Sequence, residues 1–123
     1  FSDAKREGKQ ELTLWGTGIA LREFMHVDDV ARAILHIIDR TDAPDLINVG
    51  WGEDLSIKQL AETIASKVGY TGEIKWDSSK PDGMLKKCMD VSKLKALGYT
   101  PSITLSAGID QMIEIYNSMV PAN

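Results

Sequence analysis

The sequence predicts an α/β fold, and three observations point to it. Glu11–Trp15 and Glu73–Trp76 alternate polar and apolar residues, as half-buried strands do. Along Val30–Ile38, Ile57–Val68 and Leu105–Tyr116 the apolar residues recur instead at helical spacing. Capping residues and glycines mark the changes of period, so strands alternate with helices along one chain.

The elements follow in order. Phe1–Gly8 reads as helix, and a start at Phe1 without Met or a signal-peptide pattern is the start expected of a piece of a longer protein. After the Glu11–Trp15 strand comes a glycine-hinged turn, where Gly16 and Gly18 are free to take positive φ. From Val27 a helix is predicted to run to Arg40. Asp28 is its candidate N-cap. Its apolar stripe, Val30, Ala31, Ile34, Leu35 and Ile38, is expected to face inward. The opposite stripe, Asp29, Arg32, His36 and Arg40, is expected in solvent. Leu46–Val49 reads as a short strand. Ser56 and Gln59 form a capping box flanked by a Leu55/Leu60 staple, and Gly69 ends that helix. Asp90 is placed to cap a short helix through Leu97, closed by Gly98. Thr104 precedes a last helix expected to turn Leu105, Ile109, Met112, Ile113 and Tyr116 inward. No internal repeat is visible.

Composition narrows the class. The 123 residues are 43% hydrophobic and 26% charged, enough for one modest domain. A net charge of −4 gives no electrostatic footprint for nucleic acid. No apolar run reaches membrane-spanning length. The single cysteine, Cys88, excludes an internal disulfide and fits a reducing compartment, so a cytoplasmic location is expected. His26 and His36 lie far apart without further ligands at metal spacing, so no metal site is predicted.

Two segments carry possible binding chemistry. Trp15 and Arg22 flank the glycine turn, and an indole plate with a bidentate guanidinium suits a nucleotide-linked sugar. An ordinary turn with a buried tryptophan and a surface arginine explains the same residues. In Lys80-Pro-Asp-Gly-Met-Leu-Lys-Lys87, Pro81 and Asp82-Gly83 form rigid turn chemistry. That turn can hold Asp82 as a hydroxyl acceptor and aim Lys86 or Lys87 at phosphate. A solvated turn with two surface lysines is the alternative. Cys88 beside those lysines reads as a small buried hydrophobe rather than a reactive thiol. His26 is expected to make a structural hydrogen bond where its helix begins. Gly50-Trp51-Gly52 follows a strand but lacks the third glycine of a dinucleotide fingerprint, because position 55 is Leu. No cofactor-binding and no catalytic residue is assigned.

Arg22-Glu-Phe-Met-His-Val-Asp-Asp-Val-Ala31, followed by Ile47-Asn-Val-Gly50 and the Ser56 helix, resembles the extended short-chain dehydrogenase/reductases that act on nucleotide sugars. Trp15-Gly-Thr-Gly18 and Ser79–Lys87 narrow the resemblance to the branch that epimerises and reduces GDP-4-keto-6-deoxy-D-mannose. It implies the C-terminal, substrate-binding part of such an enzyme. Residues 27–50 would return to a Rossmann sheet whose NADP-binding N-terminal domain lies outside this chain. It implies substrate-binding roles for Trp15, Arg22, Asp82 and Lys87. NADPH would be held by the missing domain, which supplies the Ser/Tyr/Lys set, and the whole enzyme would be a homodimer. Alone the chain is expected to be inactive. Ile19-Ala20 departs from the proline-containing turn usual in that branch. A related nucleotide-sugar epimerase or dehydratase, or a non-catalytic binding module, are the other readings.

Overall fold

Two small sheets organise the chain, which the computed structural model describes over residues 1–120. Strand β1 (Glu11–Trp15) pairs in parallel with β4 (Glu73–Asp77), placing Trp15 opposite Asp77. A second sheet has the order β3-β2-β5, from Leu55–Ser56, Leu21–Arg22 and Lys86–Lys87. There β2 runs antiparallel to β3 and parallel to β5. The helices are α1 (Ser2–Arg6), α2 (Val27–Ile37), α3 (Ile57–Val68), α4 (Ser92–Ala96) and α5 (Leu105–Met119). None is long and apolar enough to cross a membrane among the described residues.

Local chemistry explains most of these boundaries. Both halves of the Ser56/Gln59 capping box are formed, and Gly69 ends α3 in the left-handed conformation at φ 73°. Thr104 caps α5 by accepting the Ala107 N–H. Asp90 accepts the Ser92 N–H at 2.9 Å, one position ahead of the cap residue Val91. The cap of α2 is His26, not Asp28: its Nδ1 accepts the Asp28 N–H at 3.2 Å. A ring nitrogen can fill this role because the cap position needs only an acceptor within reach of the first free N–H groups.

Two separate clusters make up the core. In one, Phe1, Leu12 and Ile74 pack around Ala4, Ala65 and Tyr70, with the Phe1 and Tyr70 rings edge to face at 5.7 Å. In the other, Ala33, Val91 and Leu94 are covered by Met25, Ile37, Ile47, Val49 and Tyr99. Helix α2 therefore turns inward the face opposite to the one its apolar stripe predicts. Ile34, Leu35 and Ile38 are 51%, 72% and 68% exposed, while Asp29 and Ala33 are sealed. His36 and Arg40, expected in solvent, both donate to the Leu97 carbonyl, the former at 2.8 Å. On α5, Met112 is also more exposed than expected.

Residues 46–49 form no strand. A strand needs a neighbouring backbone, and among the described residues none pairs with this segment. It is instead tied to the start of α4. The Asn48 amide donates to the Asp90 carbonyl, and Lys93 Nζ donates to the Leu46 carbonyl. Ile47 and Val49 are half-buried there, while Leu46 and Asn48 are exposed.

Asp29 accounts for the inverted face. Its carboxylate accepts N–H groups from Ser102 and Ile103 at 2.9 and 2.7 Å, the Ser102 hydroxyl, and Arg32 Nη1 at 2.8 Å. Tyr99 adds its hydroxyl to the Asp29 carbonyl at 2.7 Å. Burial pushes this carboxyl up, but the donors from Ile103, Ser102 and Arg32 together hold it below its ordinary value.

Asp29→Ala strands two buried N–H donors, at about 1–3 kcal/mol each, and urea unfolding of the variant is expected to show a loss of that order. Because the folded carboxyl titrates below the unfolded one, its stabilisation is complete above the ordinary aspartate range. It is lost as pH falls from about 4 toward the folded value. Unfolding midpoints measured from pH 6 to pH 2 are expected to drop across that window in the parent and to be flatter in Asp29→Ala.

Candidate functional site

Two of the four predicted site residues, Trp15 and Asp82, lie where β1 and β4 end, and the other two, Arg22 and Lys87, stand on the second sheet. Trp15 closes β1, and the next N–H, from Gly16, bonds the Asp77 carbonyl at 3.0 Å. The chain then turns through Gly16 at φ 81° and Gly18 at φ 77°. Neither position tolerates a side chain. A Cβ on Gly16 would collide with Asp82 Oδ1, and one on Gly18 would lie 2.7 Å from the Trp76 ring. Turning sharply this close to two neighbours requires glycine.

Asp82 clasps that turn. Its Oδ1 accepts the Thr17 N–H at 2.7 Å and its Oδ2 the Thr17 hydroxyl at 2.6 Å. The hydroxyl bond, then the N–H bond, hold the carboxyl below the usual range, so it stays an acceptor. Each oxygen keeps a second lone pair, which leaves room for one more hydroxyl.

Beyond the turn, Arg22 and Lys87 are register partners across the parallel β2–β5 pair. Partners of this kind stand on the same face of a sheet. Arg22 is half-buried, with Nη1 donating to the Leu21 carbonyl at 2.7 Å. Its Nη2 faces Gly83, next to Asp82. Lys86 points to the other face and pairs with the well-covered Asp54 at 3.2 Å. Lys87 has no ion-pair partner among the described residues. Strand alternation thus sets Lys86 and Lys87 on opposite faces, Lys87 on the face of Arg22.

Trp15 is 75% exposed and Arg22 is half-buried, the reverse of what a plain structural turn requires. Lys80 Nζ lies 5.7 Å from the Trp15 ring centroid, a cation on one face of the plate. Sequence reasoning did not single out this contact. The spacing from a turn-forming Pro81 was its one available signal.

Glu23 was missed as well. Its carboxylate accepts the Gly52 N–H at 2.9 Å and the Met89 N–H at 3.1 Å. Cys88 Sγ lies 3.8 Å from the same carboxylate. Burial, then the Glu23 charge, push the Cys88 thiol up, which makes it a poor nucleophile as the sequence suggests. Glu23 and Val91 also explain the Gly50-Trp51-Gly52 segment. A Cβ on Gly50 would sit 2.9 Å from Glu23 Oε1, and one on Gly52 would sit 2.5 Å from Val91 Cγ2. Both glycines admit the chain's own side chains, so they form no open cradle for a dinucleotide pyrophosphate.

His26 lies apart from this unit. Beside its capping bond, Nε2 is buried without a partner in an apolar cavity of about 220 Å³ between α2 and α5, lined by Phe24, Ile103 and Ile109. No group of three or more His, Cys, Asp or Glu able to hold a metal occurs among the described residues.

Comparison with known proteins adds ancestry to this geometry. Residues 2–50 match the NAD dependent epimerase/dehydratase family. The chain is 44% identical over 116 residues to GDP-L-fucose synthase 1 of Arabidopsis thaliana, covering 94% of this chain and 36% of that protein. It is 42% identical over 118 residues to the GDP-L-fucose synthase of Escherichia coli strain K12, covering 89% of this chain and 37% of that protein. The chain thus spans a little over a third of the length of these relatives.

Among solved structures, a GDP-L-fucose synthetase from Naegleria fowleri bound to NADP superposes with a TM-score of 0.79 at 28% identity, covering 94% of this chain and 38% of that one. A GDP-6-OMe-4-keto-L-xylo-heptose reductase from C. jejuni superposes with a TM-score of 0.79 at 37% identity, covering 91% and 35%. The α/β arrangement is therefore that of part of a short-chain dehydrogenase/reductase fold. The chain is similar over most of its length to part of the GDP-L-fucose synthases, and its residues 2–50 match the NAD dependent epimerase/dehydratase family.

Proposed function

We propose that this chain is the substrate-holding part of an NADPH-dependent epimerase/reductase that converts GDP-4-keto-6-deoxy-D-mannose to GDP-L-fucose. One observation supports the reading above the others. Arg22 and Lys87 share a sheet face beside the Asp82-Gly83 turn that clasps the exposed Trp15 loop. Arg22 and Lys87 take the diphosphate, the first as a planar fork and the second as a point charge. Trp15 offers its ring to a planar or sugar face, and Asp82 accepts a hydroxyl. These are binding and orienting roles. Proton transfer at C3 and C5 and hydride delivery to C4 belong to groups outside these residues. NADPH supplies the hydride when bound, and its site belongs to the rest of the enzyme.

The domain division belongs to the same proposal. Residues 27–50 return to a Rossmann portion, against which the exposed Ile34, Leu35 and Ile38 pack and which pairs with the unpaired segment 46–49. The complete enzyme is a homodimer. The Campylobacter GDP-heptose reductase, at 37% identity, favours a second reading in which the GDP contacts are kept and the sugar differs.

The first test is GDP binding by the 123-residue chain, followed by NMR at the Trp15 indole. Binding of GDP in preference to UDP is expected, with no NADPH oxidation by the chain alone. Arg22→Ala is expected to lower GDP affinity by ten- to a hundredfold, since charge-assisted bonds are worth roughly 1.5–3 kcal/mol each. Lys87→Ala is expected to lower it less. In the complete enzyme both changes should raise KM and leave kcat nearly constant. A kcat loss at constant KM would move Arg22 to the reacting sugar. NADPH turnover by the chain alone would overturn the division of labour. Turnover of GDP-heptose in preference to the 6-deoxy sugar by the complete enzyme would favour the second reading, and no GDP binding would favour a module of another kind.

The apolar face of α2 gives a separate expectation. Burying each large side chain is worth roughly 1.5–3 kcal/mol, so the chain alone is expected to self-associate through Ile34, Leu35 and Ile38. Light scattering should report a mass above the monomer's that returns toward it in Leu35→Glu with Ile38→Lys. A monomer at every concentration would remove the argument that this face awaits a partner.

A further inference from the structure

We infer that Glu23 is a positioning residue that fixes the spacing of Arg22 and Lys87, and so sets the affinity of the site for a diphosphate. The inference rests on the substrate-binding reading of those two cations. Strands β2, β3 and β5 are two residues each, so few backbone bonds hold their register. Glu23 follows Arg22 where β2 ends and reaches to both neighbours. Oε2 accepts the Gly52 N–H at 2.9 Å, on the segment leading into β3. Oε1 accepts the Met89 N–H at 3.1 Å, just past Lys87. One carboxylate thus extends the three-stranded sheet by a rung on each side of its central strand.

Two further features set Glu23 apart from an ordinary surface acid. It has no cationic partner among the described residues, so its role is to gather N–H donors rather than to neutralise a charge. Gly50 has no side chain where Glu23 needs room, since a Cβ there would lie 2.9 and 3.1 Å from the two carboxylate oxygens. Lys87 is exposed and its side chain has no partner among the described residues, so its placement beside Arg22 depends on the backbone that Glu23 anchors through Met89.

The test compares GDP with guanosine on the 123-residue chain. Glu23→Gln keeps one acceptor oxygen and turns the other into a donor that cannot receive the second N–H. GDP affinity is expected to fall roughly tenfold, as sub-ångström misplacement of binding groups does, while guanosine affinity stays constant. In a Lys87→Ala background the same change should have much less effect, because one of the two positioned cations is gone. Gly50→Ala, which presses a methyl group onto the carboxylate, is expected to reproduce the GDP-selective loss and serves if Glu23→Gln does not fold. Equal losses for GDP and guanosine, additive effects with Lys87→Ala, or unchanged GDP binding would each overturn the inference alone. Failure of the unmutated chain to bind GDP would overturn the substrate-binding reading and this inference with it.

Discussion

The buried carboxylate of Asp29 is the constraint around which the rest of the chain is arranged. It joins the first turn of α2 to the loop ahead of α5 through backbone N–H groups that would otherwise have no acceptor. An acceptor so fully sealed fixes the rotation of its helix about the helix axis, because a turn of even one residue would bury the charge without its donors. Once that rotation is set, Ala33 and Ile37 meet the α4 cluster and the larger aliphatic residues point outward. Polar satisfaction, not apolar content, chooses the face of α2. The site inherits its rigidity from this arrangement, since Arg22 and Glu23 lie on the segment that leads directly into that helix.

At the site itself the same economy of parts recurs. Asp82 spends two lone pairs on Thr17, and the glycines at 16 and 18 give way so that the clasp can close. The Trp76 ring lies against Gly18 on one side of the turn, and Trp15 stays at the surface. Cations and aromatic surface are presented on a frame made of hydrogen bonds.

What the sequence made legible follows from the range of the interactions involved. Ser56 and Gln59, Gly69, and Thr104 act within four residues of themselves, and each performs the role its local chemistry implies. Gly16, Gly18, Pro81 and Gly83 likewise mark turns by local chemistry, and these turns position Trp15 and Asp82, while Arg22 and Lys87 pair across β2 and β5. The orientation of α2 was not legible. Its apolar stripe obeys helical spacing, but spacing says only that two faces differ, not which of them this part of the chain will cover. Asp29 looked like a solvent residue because its donors, Ser102 and Ile103, lie more than 70 positions away. Glu23 as a double acceptor was hidden for the same reason, since Gly52 and Met89 are far along the chain. The His26 bond at the start of α2, by contrast, is local and is expected from the sequence, though with Asp28 as the cap. Residues 46–49 show the converse limit, a strand-like composition without a neighbour to pair with.

The clasp between Thr17 and Asp82 joins positions 65 residues apart, and the Glu23–Cys88 contact spans the same interval. Contacts so distant in sequence carry the entropy of closing a long loop before they return any stabilisation. Chains dominated by them fold slowly compared with helical bundles of equal size. During synthesis, the first half of the site leaves the ribosome as an open turn with its tryptophan and arginine in water. The Thr17 clasp cannot close until the Lys80–Met89 stretch has emerged. The clasped turn is therefore a late acquisition in the life of the polypeptide, and any slowing of its second half prolongs an interval in which the first is not yet folded.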